Sequence, residues 1–250
     1  MLSTLPSGSP LAVAAAEFDV GLSLRHDSTA ARPHFAAAAH NYDLAWNTDP
    51  RLPALARNRA RAHFLADNLP HAIFALREGL TFAPWDADLQ RELGLCRDAV
   101  PYPVESTPET RIRPDSLNQW QNRVSPFDLF LASAVASLLF AGGLFARFTL
   151  RPTWAIPVMI VGFAGIVIVG GIATRIQREA TTEPFAVLLV DTPLRTGNSD
   201  VYPPRLPSPL PRGTELQVTG ERGGWVQVRV AGGAIGWLPM SNVVMQEINR

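Results

Sequence analysis

The chain has 250 residues, 47% of them hydrophobic, and its 22 Lys and Arg balance 22 Asp and Glu to a formal net charge of zero. Zero net charge gives no electrostatic ground for a nucleic-acid partner or a polybasic lipid contact. The single cysteine, Cys96, excludes an internal disulfide and leaves the redox compartment open.

Near the start, Leu11 to Ala16 reads LAVAAA, and small residues before Glu17 resemble the A-x-A end of a secretory signal. A basic n-region and a strong apolar h-region are missing. Two readings stay open: the tail of a signal whose start is mis-set, or a first alanine-rich helix. From residue 11 to 100 the chain is rich in Ala and Leu without β-alternation, which predicts a helical domain.

Its clearest unit runs from Pro53 to Asp86. Ala56, Ala60 and Phe64 repeat at helical spacing, Asn68 to Pro70 interrupt, and Ala72, Ile73, Leu76 and Leu80 form a second stripe that Pro84 stops. Small residues at Ala60 and Ala72 let two antiparallel helices approach closely. With Gly79 and Pro84 at the later positions, the segment resembles a tetratricopeptide repeat. Ala31, Phe35 and Ala38, with Phe18 and Gly21 upstream, repeat the pattern irregularly. After Asp86, a good N-cap, Leu89, Leu93, Leu95 and Cys96 supply the apolar face of a last helix. Two repeats and a capping helix are expected, and so short an array predicts a partner.

All five histidines (26, 34, 40, 63 and 71) lie in this region without an H-x₃-H or C-x₂-C ligand pair, so surface or partly buried helix positions are expected rather than a metal site. Arg32, Arg57, Arg61 and Arg77 are expected on helix faces. They are either solvated or, for Arg57, Arg61 and Arg77, candidate contacts for an acidic peptide partner. Residues 101–126 are proline-spaced and polar, predicting an extended tether, with Trp120 near the approach to the bilayer.

Residues 127–174 hold two apolar runs, expected as membrane helices over 127–147 and 153–174. Leu129 to Ala146 and Pro152 to Thr174 carry no charge, and each run reaches roughly 27 to 34 Å, near the hydrocarbon thickness of a bilayer. Six glycines would weaken helices in water but serve as contact points in lipid. A hairpin that crosses twice puts both flanking segments on one side.

After Glu183 the period changes to short strands, about five of them over 184–248: Phe185–Val190, one beginning at Leu194 and Arg195, Glu215–Thr219, Trp225–Val230 and Ala234–Leu238. The segments LRTGNS (194–199), PRGTE (211–215), RGGW (222–225) and GWLP (236–239) resemble a bacterial SH3-type domain. Trp225 and Trp237 either pack a face of a small barrel or, with Tyr202, line a groove for a peptide or glycan. Tyr202 and Trp237 therefore join the candidate contacts, and the loop Asn198–Pro209 is the expected contact surface. No P-loop, dinucleotide, nucleophile-elbow or zinc signature occurs, so no enzyme and no cofactor are expected.

Together these patterns predict a multidomain membrane protein: all-α tetratricopeptide-like repeats, a transmembrane helical hairpin and a small all-β SH3-like barrel. This order resembles the BatE-like proteins of bacterial aerotolerance operons. The resemblance implies an inner-membrane scaffold with periplasmic domains, working with von Willebrand A-type membrane proteins and a MoxR-type ATPase. The alternative is an anchored module that binds peptidoglycan. Arg147 and Arg151 favour a cytoplasmic turn, whereas Arg123, Arg175 and Arg178 favour the reverse; the LAVAAA stretch and the resemblance favour domains outside.

Overall fold

A computed structural model describes residues 9–48, 52–103, 111–114, 126–149, 153–181 and 184–246. The chain divides into two compact units: residues 1–116 together with 183–250, and residues 117–182.

The first unit begins with five helices: α1 (Pro10–Ser23), α2 (Ser28–Trp46), α3 (Pro53–Leu65), α4 (Leu69–Phe82) and α5 (Ala87–Asp98). LAVAAA lies within α1. Ser9, Asp27 and Asp86 cap α1, α2 and α5 by accepting from first-turn amides, and α1, α3 and α4 carry Pro in their first turn, where no N–H is needed. The hairpin expected over Pro53–Asp86 is formed by α3 and α4. Its turn places Asp67 at φ 65°, a left-handed position that Asp tolerates. Close approach is set by small residues: a Cβ at Gly21 would meet the Phe35 ring at 2.7 Å, and one at Gly79 would meet Ala56 Cβ at 2.6 Å.

The C-terminal strands are β1 (Phe185–Leu188), β2 (Glu215–Arg222), β3 (Trp225–Arg229), β4 (Ile235–Pro239) and β5 (Val243–Met245). They form one antiparallel sheet in the order β4-β3-β2-β1-β5. The sheet is open, and this corrects the closed barrel expected over 184–248. The free side of β4 is taken by the loop instead, through the isolated bridge Arg195↔Trp237, while β5 has only three residues. The strand expected from Leu194 reduces to that bridge and one between Arg195 and Pro204, and β5 was not legible as a strand.

The helices and the sheet share a wall. Phe185 and Val187 of β1 enter the helical core beside Ile73 and Phe74, the Phe74 and Phe185 rings standing 5.4 Å apart. Arg97 on α5 donates to both carboxylate oxygens of the buried Glu215, at 2.5 and 2.8 Å. A second core lies under the sheet around Leu188, Leu194, Leu210, Val226, Val228 and Leu238. Ile112 is buried in it, and Gly232 N–H donates to the Arg111 carbonyl at 2.7 Å. This part of the expected tether is therefore packed; residues 104–110 and 115–125 lie outside the described residues.

The second unit contains α6 (Pro126–Thr149) and α7 (Ala155–Thr181). Phe127–Thr149 and Ala155–Thr174 are long and apolar enough to cross a membrane, and only 17% and 11% of the apolar windows within them are buried. Such exposure sets them apart from core helices of a soluble protein, whose apolar faces would be covered. The helices run antiparallel through glycine contacts: Gly143 faces Ala155 and Met159, and Gly162 faces Ala136 and Phe140.

Candidate docking groove

On α3, Ala56, Ala60 and His63 turn inward, while Arg57, Arg61, Phe64 and Leu65 follow at i, i+4, i+7 and i+8 on the neighbouring stripe. On α5, Leu89, Leu93 and Cys96 are buried, which leaves Asp88, Glu92 and Leu95 on the other side. Between these stripes lies an apolar groove of about 290 Å³. Phe18 of α1, Phe64 and Leu65 of α3, Leu76 of α4 and Leu95 of α5 line it. Phe64, Leu65 and Leu95 are 46%, 42% and 62% exposed, so large apolar groups face solvent here. Phe64 and Leu95, expected among the packing stripes, belong to the groove instead.

A ladder of ion pairs borders it. Arg57 donates to Asp88 and lies 3.7 Å from Glu92, and Arg61 Nη2 donates to Glu92 at 2.5 Å. These partly exposed pairs contribute roughly 0.2–1 kcal/mol each. Their larger consequence concerns recognition. The positive charge of Arg57 and Arg61 is matched within the chain, so the groove offers apolar surface rather than a basic site. Cys96 borders the groove as an unreactive thiol, pushed up to about 12 by burial, with Glu92 and Glu215 adding to the rise.

Beneath α3 lies a buried polar cluster that helical periodicity does not reveal. Arg59 is buried and donates to Asp43 on α2 and to Glu78 on α4, its guanidinium 5.5 Å from the Trp46 ring centre and 5.9 Å from that of Phe74. His63 Nε2 stands 3.2 Å from both Asp43 oxygens, and its ring stacks on His71 at 5.3 Å. His63 is thus buried, a correction to the surface or partly buried positions expected for the histidines. Burial works against the charged form of Asp43, but the His63 hydrogen bond and the Arg59 charge hold its pKa below the ordinary value. Burial raises that of Glu78 in spite of Arg59. His71 is lowered by burial and then by the charge on His63. Among the described residues, no group of three or more His, Cys, Asp and Glu is arranged to hold a metal ion.

A pH effect arises from His71. A histidine with a depressed folded pKa stabilises the fold above its unfolded value near pH 6.5, and that contribution is lost as pH falls. The thermal midpoint of His71→Gln, measured against wild type, is expected to rise as pH goes from 7 to 5. A constant difference across that range would contradict the assignment.

The other candidate residues lie elsewhere. Arg77 is at the helix–sheet wall, its Nε 3.4 Å from Glu215 and its guanidinium 5.0 Å from the Phe185 ring centre. Trp237 lies in β4 opposite Gln227, and Trp225 in β3 opposite Pro239. Alternation turns Val226, Val228 and Leu238 into the sheet core, so both tryptophans stand half-buried on the outer face. Tyr202 is 48% exposed and rests its ring on Gly197, where a Cβ would come within 2.6 Å. Arg195 links the two: it exchanges backbone hydrogen bonds with Trp237 and donates from Nη1 to the Tyr202 carbonyl at 2.8 Å. The five candidates therefore divide among the groove border, the helix–sheet wall and the loop end of the sheet. Comparison with protein-family models, curated proteins and solved structures found no match to the chain.

Proposed function

We propose that this chain is a membrane-anchored, non-catalytic docking protein whose helical groove receives the apolar face of a short amphipathic helix from a protein partner. The observation that carries the reading is the open apolar groove, with exposed Phe64, Leu65 and Leu95 above a charge-matched border. Helix-in-groove recognition draws its affinity from such apolar anchors, and internally neutralised arginines leave little pull on an acidic peptide. The tetratricopeptide-like reading fits α1, α3 and α5 as groove-lining helices. The SH3-type reading rests on the sequence motifs and on the antiparallel order of β1 to β4.

We further assign α6 and α7 to two membrane crossings. Residues before and after them belong to one compact unit, so a chain that enters lipid at α6 must return to the same side. LAVAAA is folded into α1, with Ala14 in the core, so we assign that unit to the periplasm on the BatE-like order alone; the partners by resemblance are von Willebrand A-type membrane proteins and a MoxR-type ATPase system. An impermeant label at Ser199→Cys in intact spheroplasts tests the side; protection from the reagent overturns it.

The full chain with a photo-crosslinker at Leu95 is expected to join one defined helix of a partner in native membranes. Phe64→Glu, on a half-exposed side chain, should abolish that product while the thermal midpoint moves only about 2–4 °C, the scale of 1 kcal/mol. A cross-link that persists in Phe64→Glu removes the groove from the function. The alternative, peptidoglycan binding, is favoured by the outward tryptophans Trp225 and Trp237. Retention of the detergent-solubilised chain on purified sacculi tests it. The isolated residues 184–250 are unsuitable, because they would uncover Phe185 and leave Glu215 without Arg97.

A further inference from the structure

Val201 is 92% exposed, which is unusual for a large apolar side chain outside a membrane helix. It opens the run Tyr202-Pro203-Pro204-Arg205, whose backbone is strapped to the segment Leu194–Thr196. Thr196 N–H donates to the Pro203 carbonyl at 3.1 Å, Arg205 N–H to the Leu194 carbonyl at 2.6 Å, and Arg195 Nη1 to the Tyr202 carbonyl at 2.8 Å. Leu206 and Leu210, both buried, anchor the C-terminal end of this strap in the sheet core. The strap is thus held from its inner side.

Its outer side has unusual chemistry. Pro203 and Pro204 have no N–H to donate, and the carbonyls of Tyr202 and Pro203 are already engaged, so a partner strand cannot pair with this edge. What remains is the exposed Val201 side chain, the Tyr202 ring, two proline rings and the exposed Arg205. Pro203 and Pro204 follow a turn at Val201 and Tyr202, in which the Tyr202 N–H donates to the Ser199 carbonyl at 3.2 Å, and Pro204 lies antiparallel to Arg195. An extended, pre-ordered proline pair loses little conformational entropy on binding, which is the basis of its recognition by aromatic-lined grooves.

We propose that residues 201–205 are a ligand rather than a receptor: a rigid proline strap that inserts into an aromatic-lined groove of a second protein, with Arg205 directed at a carboxylate beside that groove. It is independent of the helical groove, which lies on α1, α3, α4 and α5.

The test uses a purified, isotope-labelled WW domain as the aromatic-groove probe, titrated with the full chain in detergent micelles. Saturable shifts at the probe's groove aromatics are expected. The double variant Pro203→Ala/Pro204→Ala should weaken binding by about tenfold or more, as for loss of a central anchor. Arg205→Glu, at an exposed position that cannot unfold the chain, should weaken it several-fold, and Leu95→Glu should leave it unchanged. Absence of saturable shifts, or unchanged binding in both strap variants, overturns the proposal. So does a silent WW titration in which soluble wall muropeptides instead perturb Tyr202, since the loop would then be a glycan receptor.

Discussion

Replacing Arg97 with alanine is expected to lower the thermal midpoint of the helix–sheet unit by about 10 °C. Glu215 is buried at the start of β2, between the sheet and α4 and α5, where Arg97 grips both its oxygens and Arg77 approaches to 3.4 Å. Removing Arg97 takes both short hydrogen bonds from a buried carboxylate and leaves it Arg77 at 3.4 Å; breaking a buried pair in this way typically costs about 3–5 kcal/mol. Replacing both partners with apolar residues, as in Arg97→Met/Glu215→Leu, should recover much of the loss, because the buried carboxylate is gone and Arg77, 35% exposed, keeps access to water. Differential scanning calorimetry of wild type, the two single variants and the double variant in detergent gives the cycle. A midpoint within two degrees of wild type in Arg97→Ala, against the loss of about 10 °C, would show that the clamp does not hold helices and sheet together.

The pH dependence of that difference comes from the same carboxylate. Burial opposes its charge, yet Arg97 first and Arg77 second hold its pKa below the ordinary glutamate range. A depressed carboxylate contributes stability above its unfolded value near pH 4.3 and loses it as pH falls through the folded value. The gap between wild type and Arg97→Ala is therefore widest near neutrality and should narrow with acidification, as Glu215 takes up a proton in the variant.

Gly162→Val is expected to break the pairing of α6 with α7. A Cβ at this position would lie 2.5 Å from the Phe140 nitrogen and 2.8 Å from the Ala136 oxygen. Both are backbone atoms, which cannot rotate away as a side chain can, so the helices must separate along their length. Overpacking generally costs about 1–3 kcal/mol, and backbone contact puts this case at the upper end. Gly142→Ala is the control, since nothing lies within 4 Å of the added methyl. A cysteine pair at Phe140 and Phe163, whose rings are 6.1 Å apart, should cross-link in the parent and in Gly142→Ala but not in Gly162→Val. The product is read after cleavage at a protease site engineered between the two helices. Equal cross-linking in all three would show that the close contact does not hold the pair together.

Local patterns carried much of this protein. The 3.6-residue stripes of α3 and α4, the acidic cap at Asp86 and the uncharged runs of α6 and α7 are all near-neighbour features, so they could be read from the chain alone. Tertiary structure decided what those stripes face. Phe64 and Leu95 have the same spacing as core residues, but helical periodicity names a face without naming its neighbour, and here the neighbour is solvent. The pairing of Arg97 with Glu215 spans 118 positions, and that of Arg59 with Asp43 spans 16; no local rule selects such partners from 22 Lys and Arg and 22 Asp and Glu. The open sheet has the same origin. Strand propensity marked β1 to β4, whereas whether the edges meet depends on where the loop through Arg195 runs, and that is settled by backbone hydrogen bonds between residues far apart in the chain.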